Sequence, residues 1–300
     1  MTPQHRMKFF AKKSLGQHFL NSRHVLEQII SAANIQKGEN VLEIGPGTGV
    51  LTEALLDTGA QVIAVEKDDR SIAFLTEKFS KEIAAGRLSL IHGDILEISN
   101  EPLFKSSKTK FLDSGFGFQS PSSNLPAPGS KLPASFSIVA NIPYYITGAI
   151  LEKFLEHEPR PNRMVLLVQK EVAKRILGPL PGGEGKESVL SISVKAFGMP
   201  KIVATVPRGS FTPPPSVDSA ILSIDNLSDK PFRDNNLQIS RFFEIVRAGF
   251  AHKRKYLASN LQSVLGPECV TTIWSKLKFD PKIRAENLTV QEWLEIAKCE

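Results

Sequence analysis

The sequence predicts an α/β protein with a parallel, doubly wound sheet and a small, all-helical C-terminal domain. Three observations carry that prediction. Apolar runs recur at 41–44, 62–65, 88–91, 136–140 and 164–168, each about as long as a buried strand. Amphipathic segments separate most of them, and strands that alternate with helices imply a parallel sheet. Past Asp225 the pattern changes to helical spacing.

Taken in order, residues 1–24 hold Arg6, Lys8, Lys12, Lys13 and Arg23 and no acid. The segment from Val50 to Leu56 places Val50, Leu51, Ala54 and Leu55 on one helical face, with Gly59 as its stop. Residues 99–135 are rich in Ser, Pro, Gly and Lys with scattered Phe. Such a composition does not readily bury itself, which predicts a long mobile insertion. The runs Ile202 to Val206 and Ala220 to Ile224 lie close together and read as antiparallel edge strands. Ser240 to Leu261 reads as one helix, with Phe243, Val246, Phe250 and Leu257 one or two turns apart. Thr289-Val-Gln-Glu292 is a capping box that opens a last helix through Trp293, Leu294 and Ala297. The expected organisation is a basic segment 1–24, a sheet domain 25–225 interrupted at 99–135, and a helical domain 226–300.

The composition places this 300-residue chain among ordinary globular proteins, at 41% hydrophobic and 23% charged residues. No apolar run is long enough to cross a membrane, and the basic N-terminus lacks the apolar stretch of a signal peptide. Cys269 and Cys299 show neither metal-ligand spacing nor a disulfide framework, so the expectation is a reducing cytoplasm and no metal. The net charge of +6 is uneven. Residues 160–208 carry nine Lys or Arg against three acids, whereas residues 31–100 carry eleven acids against six bases. Beside the bland reading of solvated basic faces stands a second one, a polyanion-binding surface next to a pocket that prefers a cation.

That pocket has a sequence outline. Glu43-Ile-Gly45-Pro-Gly47-Thr-Gly49 follows the first strand and opens a helix, where glycines let the backbone pass close to a ligand. Glu66 ends the second strand, placed to accept from ribose hydroxyls. Asp94 ends the third strand at the same edge, placed to accept from an adenine amino group while Ile95 packs on the ring. The glycine loop contains no Lys or Arg to grip a pyrophosphate. These features suit S-adenosylmethionine, whose sulfonium favours acidic surroundings; a nicotinamide dehydrogenase is the alternative.

Asn141-Ile-Pro143-Tyr144 resembles the N-[LIP]-P-[YF] motif of methyltransferases that act on the N6 amine of adenine. Together with Lys13-Ser-Leu-Gly16-Gln17-His18-Phe19-Leu20 and Phe211-Thr-Pro213-Pro-Pro215-Ser-Val217-Asp-Ser219, it is similar to the small-subunit (16S) ribosomal RNA adenine dimethyltransferases, whose loss gives kasugamycin resistance in bacteria. The resemblance runs from about residue 8 to the C-terminus, apart from the insertion, which stands where that family has a much shorter connection. It implies a Rossmann-like class I methyltransferase sheet, S-adenosylmethionine as cofactor, and ribosomal RNA of an immature 30S particle as partner. It further implies a monomeric cytoplasmic enzyme that dimethylates two adjacent adenosines. In that family the segment from Gln17 to Leu20 closes over the methionine end of the cofactor. His18 and Leu20 would contact it, and Gly45, Gly47, Glu66, Asp94 and Asn141 would complete the site. For His18 a packing or backbone-contact role is favoured over that of general base.

The chemistry gives the motif a reason. The adenine amine is a poor nucleophile because its lone pair is delocalised into the ring. The Asn141 side-chain oxygen and the Ile142 carbonyl, held extended by Pro143, would accept its two protons and aim the lone pair. Tyr144 would supply a flat face for a base taken out of its stack, with Phe211 covering the opposite face. Tyr145 is left unassigned. Arg247, Lys253, Arg254 and Lys255, interleaved with Phe250 and Tyr256, are candidate phosphate contacts, with a solvated helix face as the alternative. Two rival readings remain: a large-subunit adenine methyltransferase of the macrolide-resistance type, and an assembly factor that acts mainly by binding.

Overall fold

The computed structural model describes residues 16–98, 135–179 and 186–299. The basic residues from Arg6 to Lys13 and the insertion expected to be mobile lie outside the described residues, Ser135 excepted. The strands are β1 (Phe19–Leu20), β2 (Asn40–Ile44), β3 (Gln61–Glu66), β4 (Leu88–His92), β5 (Phe136–Asn141), β6 (Arg163–Gln169), β7 (Met199–Val206), β8 (Phe211–Thr212) and β9 (Ser219–Asp225). Helices α1 (Arg23–Ala33), α2 (Val50–Asp57), α3 (Asp69–Lys78) and α4 (Ser80–Ala84) accompany the first half of the sheet. Helices α5 (Thr147–Glu156), α6 (Lys170–Leu177) and α7 (Val189–Lys195) accompany the second half. Beyond them come α8 (Lys230–Arg233), α9 (Ile239–Phe250), α10 (Leu257–Leu277) and α11 (Val290–Ala297).

Seven strands form the main sheet in the order β4-β3-β2-β5-β6-β9-β7. The five from β4 to β6 are parallel, and β9 runs antiparallel to both β6 and β7. Of the two late strands expected at an edge, only β7 is there. β9 is interior, and it is buried along nearly its whole length.

Because successive strand residues point to opposite faces, each strand feeds two cores. Val139, Val165, Leu167 and Ile221 join Val25, Ile29 and Leu55 on one face. Ile138, Met164, Leu166 and Leu222 join Phe154, Phe243 and Trp293 on the other. Each such side chain, fully buried, contributes about 1.5–3 kcal/mol. The second core is continuous from Leu42 to Trp293, so the C-terminal helices share it with the sheet. Its aromatic centre is Phe232 against Phe197, Phe242 and Phe243, with ring centroids 4.9, 5.1 and 6.5 Å away.

Two expectations for this region need correction. The single helix expected over 240–261 is broken, with α9 ending at Phe250 and α10 starting at Leu257. Residues 251–256 between them, including His252, Lys253, Arg254 and Lys255, are exposed. The cause is tertiary: Asn260 Nδ2 donates to the Gly249 carbonyl at 2.6 Å, and Leu257 N to the Ile283 carbonyl at 2.9 Å. Arg247, a candidate phosphate contact, instead ties α9 to α5 by donating to Glu156 at 2.7 Å. Secondly, Cys269 and Cys299 meet with Cα atoms 6.3 Å apart and their sulfurs joined. A separation of 30 residues gives no hint of that pairing; the return of α11 onto α9, where Trp293 stacks on Phe250, brings the tail back.

The capping box at the last helix is formed, with the Thr289 side chain accepting from Glu292 N and the Glu292 carboxylate accepting from Thr289 N. Among the described residues, no helix is long and apolar enough to cross a membrane.

Candidate active site

From β2 the strand order steps outward to β3 and β4, then reverses to β5 and β6 on the other side. The carboxyl ends of parallel strands leave a crevice at such a reversal. A cavity of about 180 Å³ opens there. Its lining comes from the end of β2 and the following loop (Glu43, Gly45, Gly47), from β3 (Glu66, Lys67), and from the turn after β4 (Asp94, Ile95). Asn141, Ile142, Pro143, Tyr144 and Tyr145 line it from the end of β5, and His18 and Leu20 from the strap at 16–20. Every site residue expected from the sequence therefore faces this one space, apart from Phe211.

The glycine loop is shaped by close approach. Gly47 has φ 57°, and a Cβ there would stand 3.0 Å from the Phe19 ring of the strap. At Gly49, with φ 74°, a Cβ would come within 2.5 Å of Phe79. Helix α2 can start against the end of α3 only because this residue has no side chain. Val50 opens that helix, but it does not join the buried face as its spacing suggested. It is 36% exposed and lines the cavity.

Glu66 is 5% exposed, and its carboxylate is fixed by the backbone. Oε1 accepts from Lys67 N and Asp68 N, both at 2.8 Å, and Oε2 accepts from Gly47 N at 3.0 Å. With about four acceptor sites on a carboxylate, capacity remains toward the cavity. Asp94 accepts from Leu96 N at 2.9 Å through Oδ1. Its Oδ2 meets the Lys67 ammonium at 2.7 Å, which holds the carboxyl below the usual carboxylate range. The oxygen expected to take an adenine amine thus has a cation on it.

On the β5 side, Asn141 Nδ2 donates to the His18 carbonyl at 3.0 Å. A carbonyl only accepts, so this bond sets which end of the amide is nitrogen and leaves Oδ1 as the acceptor of a residue that lines the cavity. The Tyr144 hydroxyl lies 2.5 Å from Ser219 Oγ, and burial pushes the phenol pKa up. Its ring stacks on His18, with centroids 5.8 Å apart and planes at 24°. His18 Nδ1 in turn donates to the Pro213 carbonyl at 2.9 Å.

Phe211 is a correction. It is 2% exposed in the core with Leu20 and Val206, because β8 pairs with β1 and turns the ring inward. The ring that lies opposite Tyr144 is His18, not Phe211. Tyr145, by contrast, is 67% exposed at the rim of the cavity.

Glu43 and Lys67 bear on the site without having been singled out by sequence. Glu43 is 1% exposed and accepts from Thr52 Oγ1 at 2.6 Å, and burial pushes its carboxyl up to about 8. The sequence signal for each is only its neighbour, Gly45 or Glu66.

The donor set fits S-adenosylmethionine. Apart from Glu43, which burial keeps protonated at neutral pH, the lining sets two carboxylates, Glu66 and Asp94, against one lysine, which suits a cationic ligand better than a pyrophosphate. Among the described residues, no group of three or more His, Cys, Asp or Glu is placed to hold a metal ion.

A doubly wound sheet with this cleft, glycine loop and amide–proline–tyrosine edge defines a class I methyltransferase. The chain belongs to the ribosomal RNA adenine dimethylase family, whose model matches residues 8–299. It is 40% identical over 285 residues to the ribosomal RNA small subunit methyltransferase A of Dehalococcoides mccartyi, covering 94% of this chain and 86% of that one. Among solved structures, it resembles a dimethyladenosine transferase from Plasmodium falciparum at a TM-score of 0.70 and 26% identity, covering 93% of this chain and 96% of the other. The fold is also that of the 23S rRNA methyltransferase ErmE, at a TM-score of 0.62 and 23% identity over 94% of this chain and 99% of the other. The protein is accordingly an S-adenosylmethionine-dependent ribosomal RNA adenine dimethyltransferase.

Proposed function

We propose that the protein adds two methyl groups to the N6 amine of each of two adjacent adenosines near the 3′ end of 16S ribosomal RNA, within an immature 30S particle. The observation that carries this reading to the reacting atom is the Asn141 amide, whose nitrogen is held by the His18 carbonyl so that its oxygen is presented as an acceptor. Relatives named for the small subunit support that substrate over large-subunit RNA. The enzyme works as a monomer in the cytoplasm and without a metal. Residues 25–225 carry the transfer, and residues 226–300 help to hold RNA.

S-adenosylmethionine supplies an electrophilic methyl carbon on a positively charged sulfur. Glu66 would accept from the ribose hydroxyls and Asp94 from the adenine amine, and Ile95 would pack on that ring. Gly45 and Gly47 let the backbone approach, and His18 and Leu20 cover the methionine end. For the target, Asn141 Oδ1 and the Ile142 carbonyl would accept the two amine protons and so orient the nitrogen lone pair for transfer. Pro143 keeps Ile142 extended.

Tyr144 is the stacking face for the flipped base. A base sandwiched between two rings needs roughly 7 Å, two contacts of about 3.5 Å. His18 lies 5.8 Å from Tyr144, so the strap shifts when the base enters.

Labelled methyl transfer to immature small subunits, with naked large-subunit RNA alongside, tests the proposal. Digestion should yield dimethyladenosine at two neighbouring positions of the small-subunit RNA. Efficient labelling of large-subunit RNA alone would overturn it.

A further inference from the structure

The sheet sets out the polar groups of the cleft in strand order. Asp94 follows β4, Glu66 ends β3, Glu43 lies on β2 and Asn141 ends β5. Neighbouring strands are about 4.8 Å apart. On the reading proposed above, the ribose sits over the end of β3 and the reacting amine over the end of β5. The sulfur would then fall between the two, over the end of β2, where Glu43 is the carboxylate that lines the cavity.

Its surroundings differ from those of its neighbour. Glu66 accepts from three backbone N–H groups, whereas Glu43 is buried with the Thr52 hydroxyl on one oxygen. The charged groups that face it are few. Glu66 on β3 opposes its ionisation, and Lys78 on α3, which also pairs with Glu53 at 2.9 Å, favours it. On β5 the cavity residue is Asn141, which does not titrate. Burial outweighs the rest and pushes the carboxyl up to about 8, so at neutral pH it holds its proton.

We infer that Glu43 matches the charge of the methyl donor: it releases its proton when the sulfonium binds and regains one when the sulfur becomes neutral, so that the cleft favours donor over spent product. In the transfer the S–CH3 bond breaks and the N–CH3 bond forms. Sulfur keeps the electron pair and loses its charge, and the amine sheds a proton to solvent. Glu43 takes its own proton from solvent, so charge and atoms balance. Repeated transfers at two adenosines require each spent thioether to leave, which gives weak product binding a direct bearing on turnover.

The sign of the pH dependence follows. Below about 8, donor binding expels a proton, so donor affinity rises with pH and levels off above that value. The rise is at most about tenfold per pH unit, the one-proton limit. Affinity for the neutral-sulfur product does not share that rise. The amino-acid end is common to both ligands, and its own ionisation, which the sulfonium shifts in the donor, is measured on the free ligands and subtracted from the proton counts.

Calorimetry in two buffers of different ionisation enthalpy counts the protons released per ligand bound. Near pH 7, S-adenosylmethionine should release close to one proton and S-adenosylhomocysteine far less. Glu43→Gln should abolish the difference and flatten the donor-to-product affinity ratio against pH. Thr52→Val, which removes the hydroxyl that favours the ionised form, should move the levelling-off point to higher pH. Equal proton counts for the two ligands in the natural protein would overturn the inference, even where Glu43→Gln does not fold. So would undiminished release in a folded Glu43→Gln. If neither ligand binds, the cofactor reading of the cleft falls instead.

Discussion

On the β2–β3–β4 side of the cleft the polar groups are carboxylates, whereas on the β5 side they are a neutral amide and two tyrosines. Both sides are fixed by backbone, but in opposite senses. Glu66 is held by three N–H donors, which suits an ionised acceptor; Asn141 is held by one carbonyl, which orients a neutral one. The difference follows from what each wall meets. A cation and its ribose reward negative charge, and placing charge there needs donors around it. A neutral adenine amine on its way to becoming an ammonium needs acceptors in the right place. A full charge is not required, because the product's proton leaves readily once the methyl group is on. The comparison predicts that loss on the neutral wall appears in rate, and loss on the acidic wall in affinity.

The largest effect should come from Asn141→Ala. Losing an electrostatic partner of the reacting group costs on the order of 10²–10³ in rate. Single-turnover methylation should fall by that factor while affinity for the small subunit holds. A near-normal rate would remove Asn141 from the chemistry and the division between the walls with it.

Glu66→Ala should come next, weakening S-adenosylmethionine binding by ~1.5–3 kcal/mol, the scale of hydrogen bonds to a charged group. It also strands the N–H groups of Gly47, Lys67 and Asp68, so the melting temperature should drop as well. Glu66→Gln keeps an oxygen for some of those donors and should recover part of the stability. Calorimetry that finds unchanged affinity in both variants would displace the cofactor from this wall.

The acidic wall was the more legible in sequence. Parallel buried strands write themselves as continuous apolar runs, and Glu66 and Asp94 stand at or just beyond the ends of two of them, so their meeting at one edge follows from the alternation alone. What was hidden is non-local. Phe211 turns inward because β8 pairs with β1, nearly two hundred residues earlier in the chain. The break at 251–256 depends on Asn260 and Ile283, while the apolar spacing through it is that of one helix. Lys67 belongs to no motif, and its contact with Asp94 exists only once β3 and β4 lie side by side.

Tyr144 sharpens the comparison because its ring and hydroxyl do separate things. The ring is the stacking face, worth ~1–3 kcal/mol per base, so Tyr144→Ala should be severe in rate at subsaturating RNA. The hydroxyl bonds the fully buried Ser219. Tyr144→Phe should therefore cost about 1 kcal/mol of stability, the net worth of such a bond, with transfer nearly intact. A Tyr144→Phe protein that is stable but slow would assign the hydroxyl a chemical role.

The smallest effect, and the one that tests the acidic wall most finely, should be that of Lys67→Met. The Lys67 ammonium sits on the Asp94 oxygen that an adenine amine would need. Binding must then displace it or share that oxygen. The lysine is 57% exposed, so the pair is weak and is screened by salt. Met keeps the aliphatic stem against the cavity and removes the competitor. Donor affinity should rise only slightly, as for the loss of any exposed ion pair. The gain should be largest at low ionic strength and vanish in concentrated salt. A loss of affinity would mean that the Lys67 cation assists the ligand, and that the wall is less purely an acceptor surface than its carboxylates suggest.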